Sequence, residues 1–167
     1  LSVSGLLVPK VGGPSVKPYQ PPGIWEAVGY TDSNTANFTR DTGEALYRRS
    51  IYTFWKRTAP PPTLATLDAP SRETCGMRRP RTNTPLAALA LMNDEQFVEA
   101  SGRLAERIVR EGGTNDTERL TRAFQLTVGR TPTEQEGAVA REVLQTSRDR
   151  YANDPEAARK LIDVGES

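Results

Sequence analysis

The sequence contains no histidine and only one cysteine. Without histidine, Ser-His-Asp and Cys-His catalysis, His-ligated zinc and His-based acid–base chemistry are excluded within this chain. Cys75 has no second cysteine for an intrachain disulfide or a thiolate metal cage, and no histidine to activate it. No run approaches the ~20 apolar residues that a membrane span requires. We therefore expect no catalytic residue, no metal site, no cofactor and no membrane span in this segment.

Charge and proline are distributed unevenly along the 167 residues. Residues 1–83 carry 11 Lys/Arg and 6 Asp/Glu, whereas residues 84–167 carry 11 and 15, which leaves an overall charge of +1. Ten of the 13 prolines also lie before residue 84, where they disfavour regular structure. The sequence therefore predicts one domain with a loop-rich basic half (1–83) and a helical half (84–165). A net charge near zero argues against a nucleic-acid partner.

Local patterns in the first half leave two interpretations open. Residues 24–28 fit one helical turn, and Asp41 to Glu44 resembles a capping box. Residues 47–55 show a helical apolar stripe but also the β-branched and aromatic composition of a strand. We predict a helical turn up to about Arg49, a strand over 50–57, and either a second short strand or an extended crossing over 63–69.

The second half predicts five capped helices, each with an apolar pattern. Their starts are Thr84-Pro85, Asn93 or Asp94, Asp116, Thr131-Pro132-Thr133-Glu134 read as a capping box, and Asp154-Pro155. Glycines at 112–113, 129 and 165 mark three of the ends. The predicted fold is mainly α: an irregular Pro/Arg/aromatic-rich half, with one or two short strands, packed on a bundle of about five helices.

Arginines and aromatic residues between positions 47 and 81 form the candidate binding site. Its residues are Arg48, Arg49, Tyr52, Trp55, Arg57, Arg78, Arg79 and Arg81. The planar guanidinium group of arginine binds carboxylate and sulfate groups through paired N–H donors. This composition therefore favours an anionic polysaccharide, such as a sulfated or uronic polymer, as the ligand. Alternatively, the arginines pair with nearby carboxylates or satisfy loop carbonyls. A carboxylate pair at Asp68 and Glu73 is a weaker, catalytic interpretation.

Several long motifs resemble one protein family. They are PSVKP (14–18), PPGIW (21–25), YRRSIYTFWKR (47–57), DAPSRE (68–73), RTNTPL (81–86), and ND (93–94) before FVEA (97–100). These motifs span nearly the whole chain and resemble the C-terminal part of a planctomycete family, number fifteen fifty-three in the series of domains of unknown function. The apolar start before Pro9 resembles the end of a helix, and we expect a fragment of a longer protein.

The resemblance implies an exported, multidomain bacterial protein with an extracytoplasmic location, but no established activity. A cytochrome c-type domain is often found upstream in such proteins. This chain has no Cys-x-x-Cys-His motif, so haem c is expected only in the upstream part. We predict a non-catalytic interaction module that docks other domains of its parent chain or binds an anionic surface polymer. The alternative is an accessory part of a haem-linked oxidoreductase or polysaccharide-acting enzyme whose catalytic groups lie upstream.

Overall fold

The structure is a computed structural model that describes residues 1–30, 32–78 and 80–166. Within these ranges the α-helices are α1 (Pro62–Thr66), α2 (Pro85–Asn93), α3 (Glu95–Glu111), α4 (Asp116–Val128), α5 (Glu134–Asn153) and α6 (Pro155–Ile162). Short 3₁₀ helices occupy Glu26–Val28, Gly43–Tyr47 and Ser50–Tyr52. The described ranges contain isolated β-bridges but no sheet. The mainly α prediction is confirmed, as is the helical turn expected over residues 24–28.

The chain divides into two compact units. One is Leu7–Phe97, which contains the 3₁₀ helices, α1 and α2. The other joins Leu1–Leu6 to the chain from Val98 onward and contains most of α3 together with α4, α5 and α6. The single-domain organisation, with halves meeting at residue 83, stays a prediction.

Trp25 is the centre of the Leu7–Phe97 unit, with only 2% of its surface exposed. Phe38 meets its ring edge-on at 5.2 Å, and Phe54 lies at 5.4 Å. Burying an aromatic side chain of this size removes a large apolar area from water, and ring pairs in this geometry add further attraction. Leu46 is also fully buried in this unit. These side chains form the core that the proline-rich segment surrounds.

Long polar side chains hold the backbone of this unit where no sheet or long helix does so. The buried Lys56 ammonium donates to the carbonyls of Thr35 at 2.8 Å and Trp25 at 3.3 Å. Gln96 Nε2 donates to the Leu46 carbonyl at 2.6 Å. Because buried backbone groups need partners, these bonds take the place of a regular ladder.

The strand predicted over residues 50–57 is wrong. Ser50–Tyr52 is a 3₁₀ helix, and Thr53 makes only an isolated bridge to Val16. Val16 donates to the Tyr52 carbonyl and accepts from Phe54 N, both at 2.8 Å. On either side of Val16 the next pairing positions are Pro14 and Pro18, which have no N–H to donate. The pairing therefore stops after one residue, although the composition of the segment suits a strand.

Two further local predictions in this unit are wrong. Residues 63–69 are not extended: α1 begins with Pro62 at its first position, where the fixed φ of proline suits a helix. The capping box at Asp41 is also absent, because the Asp41 carboxylate instead accepts a hydrogen bond from Lys17 N at 2.7 Å. The 3₁₀ helix Gly43–Tyr47 consequently starts at Thr42 without a side-chain cap.

The helix starts predicted in the second half are largely confirmed. Thr84 Oγ1 accepts from Ala87 N at 3.1 Å, Asp94 Oδ1 from Gln96 N at 3.0 Å, and Asp154 Oδ1 from Ala157 N at 3.0 Å. Asn115, one residue before the predicted Asp116, caps α4. At its other end α4 is closed by Gly129 with a left-handed φ of 76°.

The start of α5 differs from the prediction by two residues. Its N-cap is Thr133, and its reciprocal partner is Glu136, so the capping box is Thr133–Glu136 rather than Thr131–Glu134. Pro132 therefore precedes the cap instead of occupying the first helical position. Both registers place a hydroxyl three residues before a glutamate, which is why the sequence did not distinguish them.

In the helical unit, α4 packs against α5 and α5 packs against α6. A two-bonded ion pair joins Arg148 of α5 to Asp116 of α4, at 2.6 and 2.9 Å. Near the chain end, the buried Glu99 accepts a hydrogen bond from Glu166 N at 2.9 Å. Gly165 has φ +101°, and a Cβ there would collide with the Glu99 carboxyl group, so this turn requires glycine. Residues 2–5 form a turn, not the helix end expected there.

Candidate anion-binding site

Arg48 is buried and bonds to the protein's own backbone. Its guanidinium donates to the Pro14 carbonyl at 2.8 Å, to the Lys10 carbonyl at 3.4 Å, and to the Gly12 carbonyl. The guanidinium also lies 3.8 Å from the centre of the Tyr52 ring. Arg48 therefore fits the alternative interpretation, in which arginine donors satisfy loop carbonyls.

Tyr52 belongs to the same internal cluster. Its hydroxyl accepts a hydrogen bond from Gly12 N at 2.9 Å, while its ring stacks on the Arg48 guanidinium. Arginine and tyrosine together hold residues 10–14 against the 3₁₀ helix Ser50–Tyr52. The ring face that stacks on Arg48 is therefore already occupied by a side chain of this unit.

The next two cationic contacts are also made within the chain. Arg57 Nε donates to Glu73 Oε1 at 2.7 Å, and a second bond joins Arg57 Nη2 to Glu73 Oε2. The hydrogen bond from Arg57 lowers the pKa of Glu73 below its usual value. The Arg72 guanidinium lies 4.9 Å from the centre of the Trp55 ring. Trp55, one of the predicted binding residues, is thus covered on this face by a cation.

A cavity of about 580 Å³ lies beyond these contacts, between the end of α1, the chain before α2, and α2 itself. Eight residues line it: Thr66, Leu67, Asp68, Arg78, Pro80, Arg81, Thr82 and Ala87. Two of the predicted binding arginines, Arg78 and Arg81, are therefore brought to one cavity. Its volume falls within the ~300–1,000 Å³ typical of small-ligand sites.

Asp68 fixes the shape of this cavity. It has a left-handed φ of 59°, a conformation that aspartate tolerates better than most residues other than glycine. Its carboxylate accepts from Thr82 N at 2.6 Å and from Thr82 Oγ1 at 2.8 Å. These bonds tie the end of α1 to the segment before α2. Asp68 and Glu73 consequently bond to different partners, and the pair proposed for catalysis has no geometric support in these contacts.

Arg78 and Arg81 differ from the arginines described above. Both are exposed, and neither forms an ion pair with any residue in the described ranges. Arg49 is also exposed, but it does not line the cavity. Arg79 lies outside the described residues. The structure therefore divides the predicted site into residues engaged by other side chains or backbone of the chain (Arg48, Tyr52, Trp55, Arg57) and a cavity pair (Arg78, Arg81).

The threonines of the cavity were not identified from the sequence. Thr82 precedes a helix cap and Thr66 ends a five-residue helix, so neither stands in a motif of binding chemistry. Their proximity depends on the Asp68–Thr82 bonds, which join residues 14 positions apart. The arginine concentration and the candidate carboxylate Asp68 were the signals for this site. Among the described residues, no three potential metal-ligating side chains are grouped together.

These features define a mainly helical module that combines an irregular unit with an open, arginine-lined cavity. The chain belongs to the PSD1 family, described as a protein of unknown function (DUF1553), whose family model matches residues 1–144. The family resemblance seen in the sequence motifs is thereby confirmed. No curated protein and no solved structure matches the chain. Within the described ranges, no helix has the length and hydrophobicity needed to cross a membrane.

Proposed function

We propose that this chain is a non-catalytic binding module for an anionic polysaccharide, which Arg78 and Arg81 hold at the cavity. The observation that carries the proposal is the contrast among the arginines. Arg48 and Arg57 bond to groups of the chain itself, whereas Arg78 and Arg81 line an open cavity. Arginine is suited to this role because its planar fork binds carboxylate and sulfate oxygens in pairs.

The remaining cavity residues match the hydroxyl groups of a sugar. Asp68 contributes a carboxylate, a group that accepts hydrogen bonds from hydroxyls, to the lining of the cavity. The hydroxyl group of Thr66 adds a donor and acceptor at the cavity wall. A uronic or sulfated sugar needs cations to bind its acid group and polar side chains to bind its hydroxyl groups. The cavity has arginines for the first and Asp68 and threonines for the second.

Binding should be measured by isothermal titration calorimetry with oligogalacturonate, dextran sulfate and neutral dextran. The variant Arg78→Gln/Arg81→Gln should bind the acidic polymers at least ~10-fold more weakly, since each charge-assisted bond contributes about 1.5–3 kcal/mol. The matched control is Arg110→Gln/Arg141→Gln, which removes the same charge from exposed positions on α3 and α5. The control should bind as the wild type does, and neutral dextran should not bind.

Equal weakening in the two double variants would contradict the proposal, because it would show attraction to charge anywhere on the surface. Absence of binding to both acidic polymers at low salt would also overturn it. Binding should weaken as salt increases, because exposed charges are screened over about 10 Å at 0.1 M ionic strength.

The wider biological setting stays a prediction, carried by the family resemblance alone. It comprises an exported multidomain parent, an extracytoplasmic location, a haem c domain upstream and docking to neighbouring domains. The accessory-enzyme alternative depended on Asp68 and Glu73. Since these residues bond to Thr82 and Arg57, no contact in the described structure favours a catalytic pair.

A further inference from the structure

Helix α2 (Pro85–Asn93) is apolar on all sides, yet most of its surface is open. Leu86, Leu89 and Met92 are 61%, 55% and 74% exposed, and Leu91 on another side is also exposed. Helix α2 packs against α1, and its least exposed residues before Asn93 are the small alanines Ala87 and Ala90, which are only partly buried. A helix that is apolar all round is normally buried, and a row of exposed leucines marks an interaction surface.

The charges on either side of α2 have opposite signs. Arg78 and Arg81 precede it, Asp94 and Glu95 follow it, and residues 82–93 contain no charged side chain. Glu95 is half exposed and pairs with Arg40 at 3.3 Å. The surface is therefore an apolar, uncharged strip with a basic end and an acidic end.

We propose that α2 is the interface for a second copy of this chain, with the two helices antiparallel across a two-fold axis. In that arrangement the basic end of each helix meets the acidic end of its partner, so the same surface complements itself electrostatically. A two-fold interface requires such self-complementarity. The uncharged strips meet without like-charge repulsion, and the helix dipoles are aligned favourably. Ala88, between the leucines, allows close approach of the two backbones.

The second copy is favoured over an unrelated partner because both halves of the charge match are present on this chain. An unrelated acidic partner would meet only the basic end of the strip, whereas a second copy meets both ends. The inference goes beyond the polysaccharide proposal and does not depend on it. Because both proposals give Arg78 and Arg81 a partner, an acidic polymer and the second copy compete for these two arginines.

The oligomeric state should be measured by sedimentation equilibrium over a concentration series, with the whole chain. The wild type should form dimers, and Leu89→Glu/Met92→Glu should raise the dissociation constant at least ~30-fold, the effect typical of central interface residues. The control Val139→Glu/Val143→Glu places the same charges at exposed positions of α5 and should remain dimeric. Because all four side chains are more than half exposed, circular dichroism should show unchanged helix content.

Charge exchange tests the antiparallel orientation. Arg81→Glu and Glu95→Arg should each weaken the dimer several-fold, because each places like charges opposite one another. The double variant should restore the dimer, because the charge at position 81 of one copy and the charge at position 95 of its partner are then opposite again. A monomeric wild type at all concentrations would overturn the inference. So would a dimer that the α5 control disrupts as strongly as the α2 variant does. Polysaccharide binding by a monomeric wild type would leave the proposed function intact and reject only this interface.

Discussion

Arg48 shows how one side chain replaces a stretch of secondary structure. Its donors reach three alternate loop carbonyls, at Lys10, Gly12 and Pro14, in a segment whose prolines prevent a sheet ladder. The same residue type at positions 78 and 81 faces a cavity. The role of Arg48 therefore depends on the backbone groups that lack partners nearby, not on its place in the basic run.

Arg48→Met should destabilise the protein by about 2 kcal/mol, because several backbone acceptors lose a charged donor. The matched control is the adjacent Arg49→Met, whose side chain is exposed, and its effect should stay within ~0.5 kcal/mol. Urea unfolding followed by tryptophan fluorescence measures both, since Trp25 and Trp55 lie in the same compact unit as Arg48. Similar losses in both variants would show that the Arg48 bonds add no specific stability.

At the scale of the elements, the caps of the helical half were the most predictable features. A cap depends on residues within four positions of each other, so the sequence alone carries the signal. The strand over 50–57 failed for the opposite reason. Its composition suits a strand, but a strand also needs a neighbour with free donors, and the neighbour here contains Pro14 and Pro18. Strand pairing at Thr53 depends on the segment around Val16, ~37 positions away, and the local composition of residues 50–57 carries no information about that segment.

The two candidate caps of α5 can be separated by substitution. Thr133→Ala should cost about 1 kcal/mol, because Thr133 Oγ1 accepts from Glu136 N and the hydroxyl also bonds the Glu136 carboxylate. Thr131→Ala should change stability by less than ~0.5 kcal/mol, because Thr131 contributes only its backbone carbonyl, to Arg130. Thermal unfolding followed at 222 nm compares them. A larger loss in the Thr131 variant would restore the register predicted from the sequence.

Over the whole molecule, the sequence predicted the helical content and the basic concentration but not the binding geometry. The arginine concentration marked the region, and eight candidate residues followed from it. Contacts such as Arg48–Pro14 and Arg57–Glu73 decide which of these residues bond within the chain. The cavity depends on the Asp68–Thr82 hydrogen bonds. These contacts span from 14 to 34 positions, and no local pattern encodes them.

Acid should destabilise both compact units. Hydrogen bonds from arginines or backbone groups lower the pKa values of Glu26 and Glu73 in one unit and of Glu111 and Asp116 in the other. The Arg130 guanidinium, followed by Thr133, lowers the pKa of Glu136 to about 2. A lowered pKa in the folded state means that the unfolded state binds protons first, so this stability is present above pH ~4.3 and declines toward pH ~2.

Glu136→Gln tests this sign directly. The wild type should be more stable than the variant at pH 7, and the difference should shrink steadily between pH ~4.3 and ~2 in urea unfolding experiments. The control is Glu142→Gln, an exposed glutamate on the same helix that forms no ion pair within the described residues. Its difference from the wild type should stay nearly constant over that range. A Glu136 difference that grows on acidification would contradict the assignment.

The irregular unit also has a consequence for mutational tolerance. In a helix or a sheet the main chain bonds to itself, so most surface side chains can be exchanged without loss of order. In Leu7–Phe97 the main chain is ordered by the particular side chains Arg48, Lys56 and Gln96. Polar positions there behave as a hydrophobic core does elsewhere, with few acceptable replacements. A saturation library of this protein would find its permissive sites on the outer faces of α3, α4 and α5, and its restricted ones among the buried charged residues of the loops, Arg48 and Lys56.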